Sequence, residues 1–467
     1  MKKLAFFYTL LFLALFKTFA TNQKPNILFV FIDDMGYGDL ACYGNPVHET
    51  PNIDRLAGEG IRFTQFYVNA PICSPSRVAV TTGQYPYRWG ISSFINDHQA
   101  NLKRGMEDFL RLEAPSLARN LKKAGYYTAH IGKWHMGGGR DVGDVPYITE
   151  YGFDESVTQF EGIGERYLAT YETLNLKDST RNLEKMSAAL GKGEIHWIKR
   201  EDCTENFVTL AIEAIKHARH AGKPFYINLW PDDVHTPSEP PLEFRGDGGE
   251  QALYSGVIKE MDRQLERIFS FIQSNPDLRE NTLIVLTSDN GPAKNVGSAG
   301  VLSGHKGNLY EGGIREPLIV WGPSFIARNQ IGGTNSTTVI AGIDLAPSII
   351  HFAGAKMFGN EHFDGLDMSR YMLGFETTKR KQPIMWQRPT GITNMAKNKD
   401  NPDLAIREGD YKLLINIDGS TPELYNIVLD ETESKNIVEN HPKVVSEMKK
   451  KVLNWYAQMP QVISHNN

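Results

Sequence analysis

Cysteine is scarce in this chain, and the scarcity excludes a class of folds. Three cysteines among 467 residues, Cys42, Cys73 and Cys203, cannot staple a chain of this length, so a buried core must hold it together. Cys42 and Cys203 are free to pair, which would leave Cys73 as the odd thiol. An excess of charge is missing too. With 50 lysines and arginines against 55 aspartates and glutamates, the formal net charge is −5. That is too small to suggest nucleic acid as a partner, while an anionic substrate remains a matter of local fields. No repeat recurs along the chain. Beyond residue 20 no apolar run approaches the ~20 residues that a membrane span needs.

What is present begins at the N-terminus. Lys2 and Lys3 precede an apolar stretch from Leu4 to Phe16, followed by Lys17-Thr18-Phe19-Ala20. A basic start, a short apolar segment and a small residue at the cut have the form of a secretory signal. Cleavage is expected after Ala20, with an uncleaved anchor as the alternative. Thr21 follows, so no lipid-modified cysteine is expected at the new terminus. The mature chain is expected to be exported, periplasmic or secreted, with no stable membrane span. Its 41% hydrophobic content suits a large core, and the length allows one large α/β domain with an appendix.

Continuous apolar runs alternate with helix-like segments. Asn26 to Ile32, Tyr126 to Ile131, Pro224 to Trp230, Thr282 to Thr287 and Leu318 to Trp321 read as buried strands. Ser116 to Ala124, Glu205 to His220, Ala252 to Ile272 and Asp344 to Phe352 read as helices between or beside them. Unbroken apolar strands separated by helices predict an α/β fold, a large, mostly parallel sheet with helices on both faces. Composition shifts near Met368 to Lys381. Short strand-like runs follow at Leu404 to Arg407, Tyr411 to Ile415 and Glu423 to Tyr425, then a helix from about Pro442 to Tyr456. The expected division is a signal at 1–20, a catalytic domain at 21–370 and a smaller α+β subdomain at 371–467.

In open α/β sheets, ligands sit beyond the carboxyl ends of the strands. The first predicted strand runs into Asp33-Asp34, the second into Lys133-Trp134-His135, the third into Asp232-Asp233-Val234-His235 and the fourth into Asp289-Asn290-Gly291. A single aspartate after a strand is ordinarily a cap or a turn. Two acidic pairs at two strand ends, near a lysine and histidines, instead suggest a metal. Three carboxylates and an amide (Asp33, Asp34, Asp289, Asn290) are hard oxygen donors, suited to calcium or magnesium and poor for zinc.

Cys73-Ser74-Pro75-Ser76-Arg77, followed by the small-residue run from Val78 to Gly83, has the form C-x-P-S-R. Together with the strand-end residues it resembles the type I sulfatases, a family of the alkaline-phosphatase-like superfamily. Their cysteine is oxidised to formylglycine by a maturation enzyme. The resemblance implies a sulfuric ester hydrolase with one calcium ion. On it, Asp33, Asp34, Asp289 and Asn290 match the metal ligands, and Cys73 matches the formylglycine precursor, which also faces the ion. Arg77 matches the arginine that holds the modified residue, and Lys133 and His135 the K-x-H pair beside it. His235 matches the histidine at the leaving-group oxygen. Lys306, in Gly304-His305-Lys306-Gly307, matches the second sulfate-binding lysine.

The chemistry explains the set. A serine that attacked a sulfate ester would be left as a stable ester, whereas a formylglycine hydrate has a second hydroxyl that expels sulfate. Pro75 is expected at the first position of a helix running through Val78 to Thr82, with residue 73 near its positive end.

Other residues carry weaker signals. Arg140, on the glycine-rich loop after His135, is a candidate for a second anionic group on the substrate, and His305 is a candidate contact. Trp134, Trp230 and Trp386 read as core rather than as sugar platforms. Lys379-Arg380-Lys381 reads as a solvated linker, and Lys449-Lys450-Lys451 as the polar face of the last helix. Export and the family together suggest a sulfated carbohydrate as substrate, an algal polysaccharide such as ulvan or carrageenan first and glycosaminoglycan fragments second. The rival readings are a phosphonate or phosphodiester hydrolase on the same fold, or a non-catalytic binder of sulfated glycans if Cys73 stays unmodified.

Overall fold

The computed structural model describes residues 24–172, 178–356, 362–377, 379–389 and 401–460. The expected signal segment lies outside them.

Among the described residues, eleven strands form one large sheet. They are β1 (Asn26–Ile32), β2 (Ile61–Tyr67), β3 (Tyr127–Gly132), β4 (Glu155–Thr158), β5 (Arg166–Thr170), β6 (Ile195–Lys199), β7 (Phe225–Trp230), β8 (Thr282–Ser288), β9 (Arg315–Trp321), β10 (Gly333–Asn335) and β11 (Ile340–Ala341). The order is β10-β2-β9-β8-β1-β7-β3-β4-β5-β6, with β11 beside β2. All pairings are parallel except those of β9, which runs antiparallel to both β8 and β2. The expected mostly parallel α/β sheet is therefore the observed one.

Its centre shows why the apolar runs are unbroken. In β1, Ile27, Phe29 and Phe31 join one core while Leu28, Val30 and Ile32 join the other. Successive side chains point to opposite faces, and here both faces are covered. The long helices Cys203–His220 and Glu250–Gln273 pack on one side. Helices Cys73–Thr82, Leu117–Lys123 and Leu345–Phe352 pack on the other. Ser116 caps Leu117–Lys123 by accepting from the Arg119 N–H at 3.3 Å, as its position suggested.

A second sheet of four antiparallel strands, β12 (Ile384–Gln387), β13 (Leu404–Glu408), β14 (Tyr411–Ile415) and β15 (Glu423–Asn426), lies in the C-terminal region with helix Pro442–Ala457. Its apolar side chains belong to the same core as Phe29 and Val78. Trp134, Trp230 and Trp386 are all buried in the core, as read. Lys450 and Lys451 are exposed on the last helix, also as read.

Two expectations need correction. Arg380 is not part of a solvated linker. It is 8% exposed and ion-paired with the buried Asp344, its Nη2 donating at 3.1 Å. Lys379 and Lys381 on either side are exposed, so a basic run concealed one structural residue. Pro75 is not the first residue of its helix. The helix opens at Cys73 behind an extended Ile72, which places Pro75 third. Proline is tolerated there because the first-turn N–H groups have no intrahelical acceptor. The shift moves residue 73 from before the helix to its first turn.

Candidate active site

The four central strands β8, β1, β7 and β3 are adjacent and parallel. Their carboxyl ends therefore deliver Asp289-Asn290, Asp33-Asp34, the Asp232–His235 segment and Lys133–His135 to one place. At the end of β3, Gly132 has a φ of 109°, and a Cβ there would meet the Trp230 carbonyl oxygen at 2.0 Å. Only glycine allows this turn into Lys133. Asp34, His135 and Arg140 also hold positive φ values of 61°, 51° and 53°. Such conformations are uncommon for non-glycine residues and cluster at functional sites.

Helix Cys73–Thr82 has all ten of its residues buried. Cys73, in the first turn, lies with Asp33 and Asp34 so that one ligand atom from each falls within 4.8 Å of the others. Arg77, one turn later, sits over the rings of Phe31 and Trp230 at 5.5 and 5.4 Å. Its guanidinium donates to Asp289 Oδ2 at 2.7 Å and to the Lys133 carbonyl at 3.0 Å, and stands 3.5 Å from Asp33 Oδ1. Arg77 thus ties three strand ends together.

The two lysines bracket the acids. Lys133 is paired with Asp33, and its Nζ is 3.4 Å from Glu161 and 3.5 Å from Asp232. Lys306 Nζ is 2.5 and 2.7 Å from the two oxygens of Asp34. The Asn290 amide donates to Asp34 Oδ1 at 2.8 Å, and the Asp34 N–H donates to Asp289 Oδ1 at 3.1 Å. His235 directs Nε2 toward Asp34 Oδ2 at 3.8 Å, while Nδ1 is 2.7 Å from the Thr236 carbonyl.

Electrostatics divide the carboxylates. Burial pushes Asp33 toward neutrality, but Lys133, His235, Arg77 and Lys306 together hold it well below the usual carboxylate range. Asp289 is driven well above that range, by burial first and then by the charge of Asp33. Arg77 already stands between Asp33 and Asp289, and a metal ion among these carboxylates would further favour their ionised forms. Asp33 Oδ1 and Asn290 Oδ1 are buried with no hydrogen-bond donor. Hard, unsatisfied oxygens among three carboxylates fit calcium or magnesium. Burial also raises the Cys73 thiol well above its ordinary value, which disfavours the thiolate that a cysteine nucleophile needs.

Sequence reasoning missed Glu161. It follows β4, a strand too short and mixed to be read from its pattern. Glu161 Oε2 lies 2.8 Å from His135 Nδ1, a close approach without hydrogen-bond alignment, and Oε1 lies 3.3 Å from Arg140. Burial favours neutrality here, yet His135, Lys133 and Arg140 hold Glu161 well below its usual range. Arg140 is thus engaged at the site edge. Arg200 was missed as well. It pairs with Asp233 at 2.8 Å and donates to the His235 carbonyl at 3.3 Å, fixing the β7 loop. His305 is not drawn into the carboxylate cluster. Its ring meets the Lys306 carbonyl at 2.9 Å, and its N–H donates to Asn308 at 3.1 Å. All three cysteines are free, so Cys42 and Cys203 are not paired.

Comparisons with known proteins agree with this geometry. The sulfatase family model matches residues 25–355. The chain is 33% identical over 394 residues to an N-acetylgalactosamine-6-sulfatase of Canis lupus familiaris, covering 80% of this chain and 70% of that one. It is 27% identical to an N-acetylgalactosamine-6-O-sulfatase of Bacteroides thetaiotaomicron, over 91% and 92% of the two chains. Among solved structures, Ps i-CgsB in complex with k-i-k-neocarrahexaose superposes with a TM-score of 0.76 at 26% identity, covering 94% of each chain.

Proposed function

The chain belongs to the sulfatase family of sulfuric ester hydrolases, and on that premise we propose that it removes sulfate from a carbohydrate through a formylglycine made from Cys73 beside one calcium ion. The observation that carries this reading is the position of Cys73. It sits in the first turn of a buried helix, with Asp33 and Asp34 ligand atoms within 4.8 Å. Burial disfavours the thiolate of an unmodified cysteine there, while an oxidised residue would meet the cation and both lysines. Asp33, Asp34, Asp289 and Asn290 would hold the calcium, with residue 73 facing it. Bound there, calcium would neutralise charge on the sulfate oxygens and favour an ionised nucleophile. Formylglycine hydrate would supply two hydroxyls on one carbon, one to accept the sulfuryl group and one to expel it.

The chain's own side chains take the remaining roles. Lys133 and Lys306 exchange part of their contact with Asp33 and Asp34 for the sulfate oxygens, holding the transferring group by charge-assisted hydrogen bonds. Arg77, fixed by Asp289 and two aromatic faces, orients residue 73. His235 has Nδ1 occupied by the Thr236 carbonyl, so Nε2 is the nitrogen that delivers a proton to the departing alcohol. His135, set between Glu161 and the Ile95 carbonyl, assists proton transfer at residue 73. Arg140 and His305 stand as outer substrate contacts.

The substrate class follows the relatives. An algal sulfated galactan oligosaccharide comes first, supported by the likeness to the structure holding neocarrahexaose, and a glycosaminoglycan fragment second. The N-terminal segment supports export and action on extracellular glycans. The test is release of inorganic sulfate by protein whose residue 73 is verified as formylglycine by mass spectrometry. It uses carrageenan and chondroitin oligosaccharides with calcium present. Release from one member supports the reading. No release, with hydrolysis of a phosphonate monoester instead, would replace it.

A further inference from the structure

Arg104 stands beside this site without an ion-paired carboxylate among the described residues. The peptide Phe94–Ile95 connects the two. The Ile95 N–H donates to Ser74 Oγ at 2.9 Å, next to Cys73. The Ile95 carbonyl accepts from Arg140 Nη1 at 3.2 Å and faces His135 Nε2 at 3.1 Å. One residue earlier, the Phe94 carbonyl accepts from Arg104 Nη1 at 3.0 Å. Arg104 and Arg140 therefore hang from neighbouring carbonyls at the rim of the site.

Their surroundings differ. Arg140 has Glu161 at 3.3 Å. Arg104 has no carboxylate within 4.0 Å among the described residues, and the Phe94 carbonyl is its one hydrogen-bond acceptor there. Of the acids near it in sequence, Glu107 faces Arg111 at 3.9 Å, Asp108 lies 2.8 Å from Asn101 Nδ2 and 2.6 Å from His98 Nδ1, and Asp97 accepts from the Ala100 N–H at 2.9 Å, capping helix His98–Lys103. Burial first, with a smaller contribution from the like charge of Arg140, holds the Arg104 guanidinium below its ordinary pKa against the opposing charge of Asp97. Even so, the group is not adrift in solvent. It lies 4.4 Å from the Phe94 ring centroid, which fixes its plane, and it is half-buried, so a ligand reaches it. A guanidinium clamped on an aromatic face, with most of its donors unused, is preorganised for a bidentate oxyanion.

We propose that Arg104, with Arg140 beside it, receives a second anionic group of the glycan, a sulfate ester or a uronate carboxylate distinct from the sulfate being removed. The proposal rests on the sulfatase reading above. It makes the enzyme selective for densely charged oligosaccharides over singly sulfated ones.

Calorimetry on the Cys73→Ala protein reads binding without turnover. The probes are N-acetylgalactosamine 6-sulfate with one anion, N-acetylgalactosamine 4,6-disulfate with two sulfates, and the unsaturated chondroitin 6-sulfate disaccharide with a sulfate and a uronate. The expected result is ~10–100-fold tighter binding of at least one two-anion ligand, as a charged hydrogen-bonded pair allows. Adding Arg104→Ala should remove most of that preference, and Arg104→Lys should restore only part of it. Which two-anion ligand gains identifies sulfate or carboxylate as the group received. No preference in the parent, or one that survives Arg104→Ala, overturns the proposal. Sulfate release by the formylglycine form is scored separately. Its absence would sink the sulfatase reading, whereas release with an Arg104-independent preference would sink only this inference.

Discussion

The carboxylate of Glu161 stands 2.8 Å from Nδ1 of His135, while Nε2 of the same ring faces the Ile95 carbonyl at 3.1 Å. Both ring nitrogens thus look at acceptors, and Lys133 shares the same carboxylate at 3.4 Å. Glu161→Gln keeps the shape and removes the charge that steadies both groups. Loss of ~1.5–3 kcal/mol of charged interaction predicts a kcat reduced ~10–100-fold. Steady-state kinetics on an aryl sulfate, at matched formylglycine content, checks it. A variant with full kcat would show that Glu161 is only packing.

The unsatisfied Asp33 Oδ1 and Asn290 Oδ1 predict a cation requirement. Chelation should abolish sulfate release and lower the melting temperature, and calcium should restore both. Calcium at 100 times its dissociation constant would contribute ~2.7 kcal/mol of stability. Magnesium should restore less, because its rigid octahedral preference suits a mixed carboxylate and amide site poorly. Unchanged melting and turnover in chelator would remove the metal from the account.

Glu316 on β9 is fully buried, and neither of its oxygens has a hydrogen-bond partner among the described residues. Burial, then the charges of Asp289, Asp39 and Asp34, raise its pKa well above the ordinary carboxyl value. A raised pKa favours folding below the unfolded value of about 4.3, and that contribution is lost as pH rises toward the folded value. Glu316→Gln removes this dependence. In calcium-containing buffer, the variant should match the parent near pH 4.5 and exceed it in stability near pH 8. Denaturant unfolding at the two pH values decides it, and a uniform loss of stability would refute the assignment.

Arg380 and Asp344 form a buried pair in which Asp344 also accepts from the Ala341 and Leu366 N–H groups at 2.7 and 2.8 Å. Arg380→Met leaves a buried carboxylate short of its cation, a loss of about 3 kcal/mol by comparison with other broken buried pairs. Lys379→Met and Lys381→Met, at exposed positions, should each change stability by less than about 0.5 kcal/mol. Parallel melts of the three variants test the contrast, and equal effects would return Arg380 to the linker.

Much of the site was legible because its chemistry follows strand ends. The runs before Asp33, Lys133, Asp232 and Asp289 are predominantly apolar, so the strands, and then the residues leaving them, read directly from pattern. β4 gave no such signal. With four residues, two of them half-buried, it lacks both the continuous run of a central strand and a long alternation. Glu161 stayed hidden with it. β2 was overlooked for a related reason, since its polar Arg62, Thr64 and Gln65 break the apolar run while it pairs with the antiparallel β9.

By itself the sequence determined the local terms: which segments are largely apolar, which residues follow them, and that one cysteine opens a C-x-P-S-R run. These depend on residue type and spacing alone. Only the tertiary structure decided which charges are paired. It made Arg380 a buried partner of Asp344, kept Cys42 and Cys203 apart, and joined Glu161 to His135. Among the described residues it also left Arg104 without an ion-paired carboxylate while giving one to Arg140. Ion pairing depends on distances between segments far apart in the chain, and burial sets how much each missing partner matters.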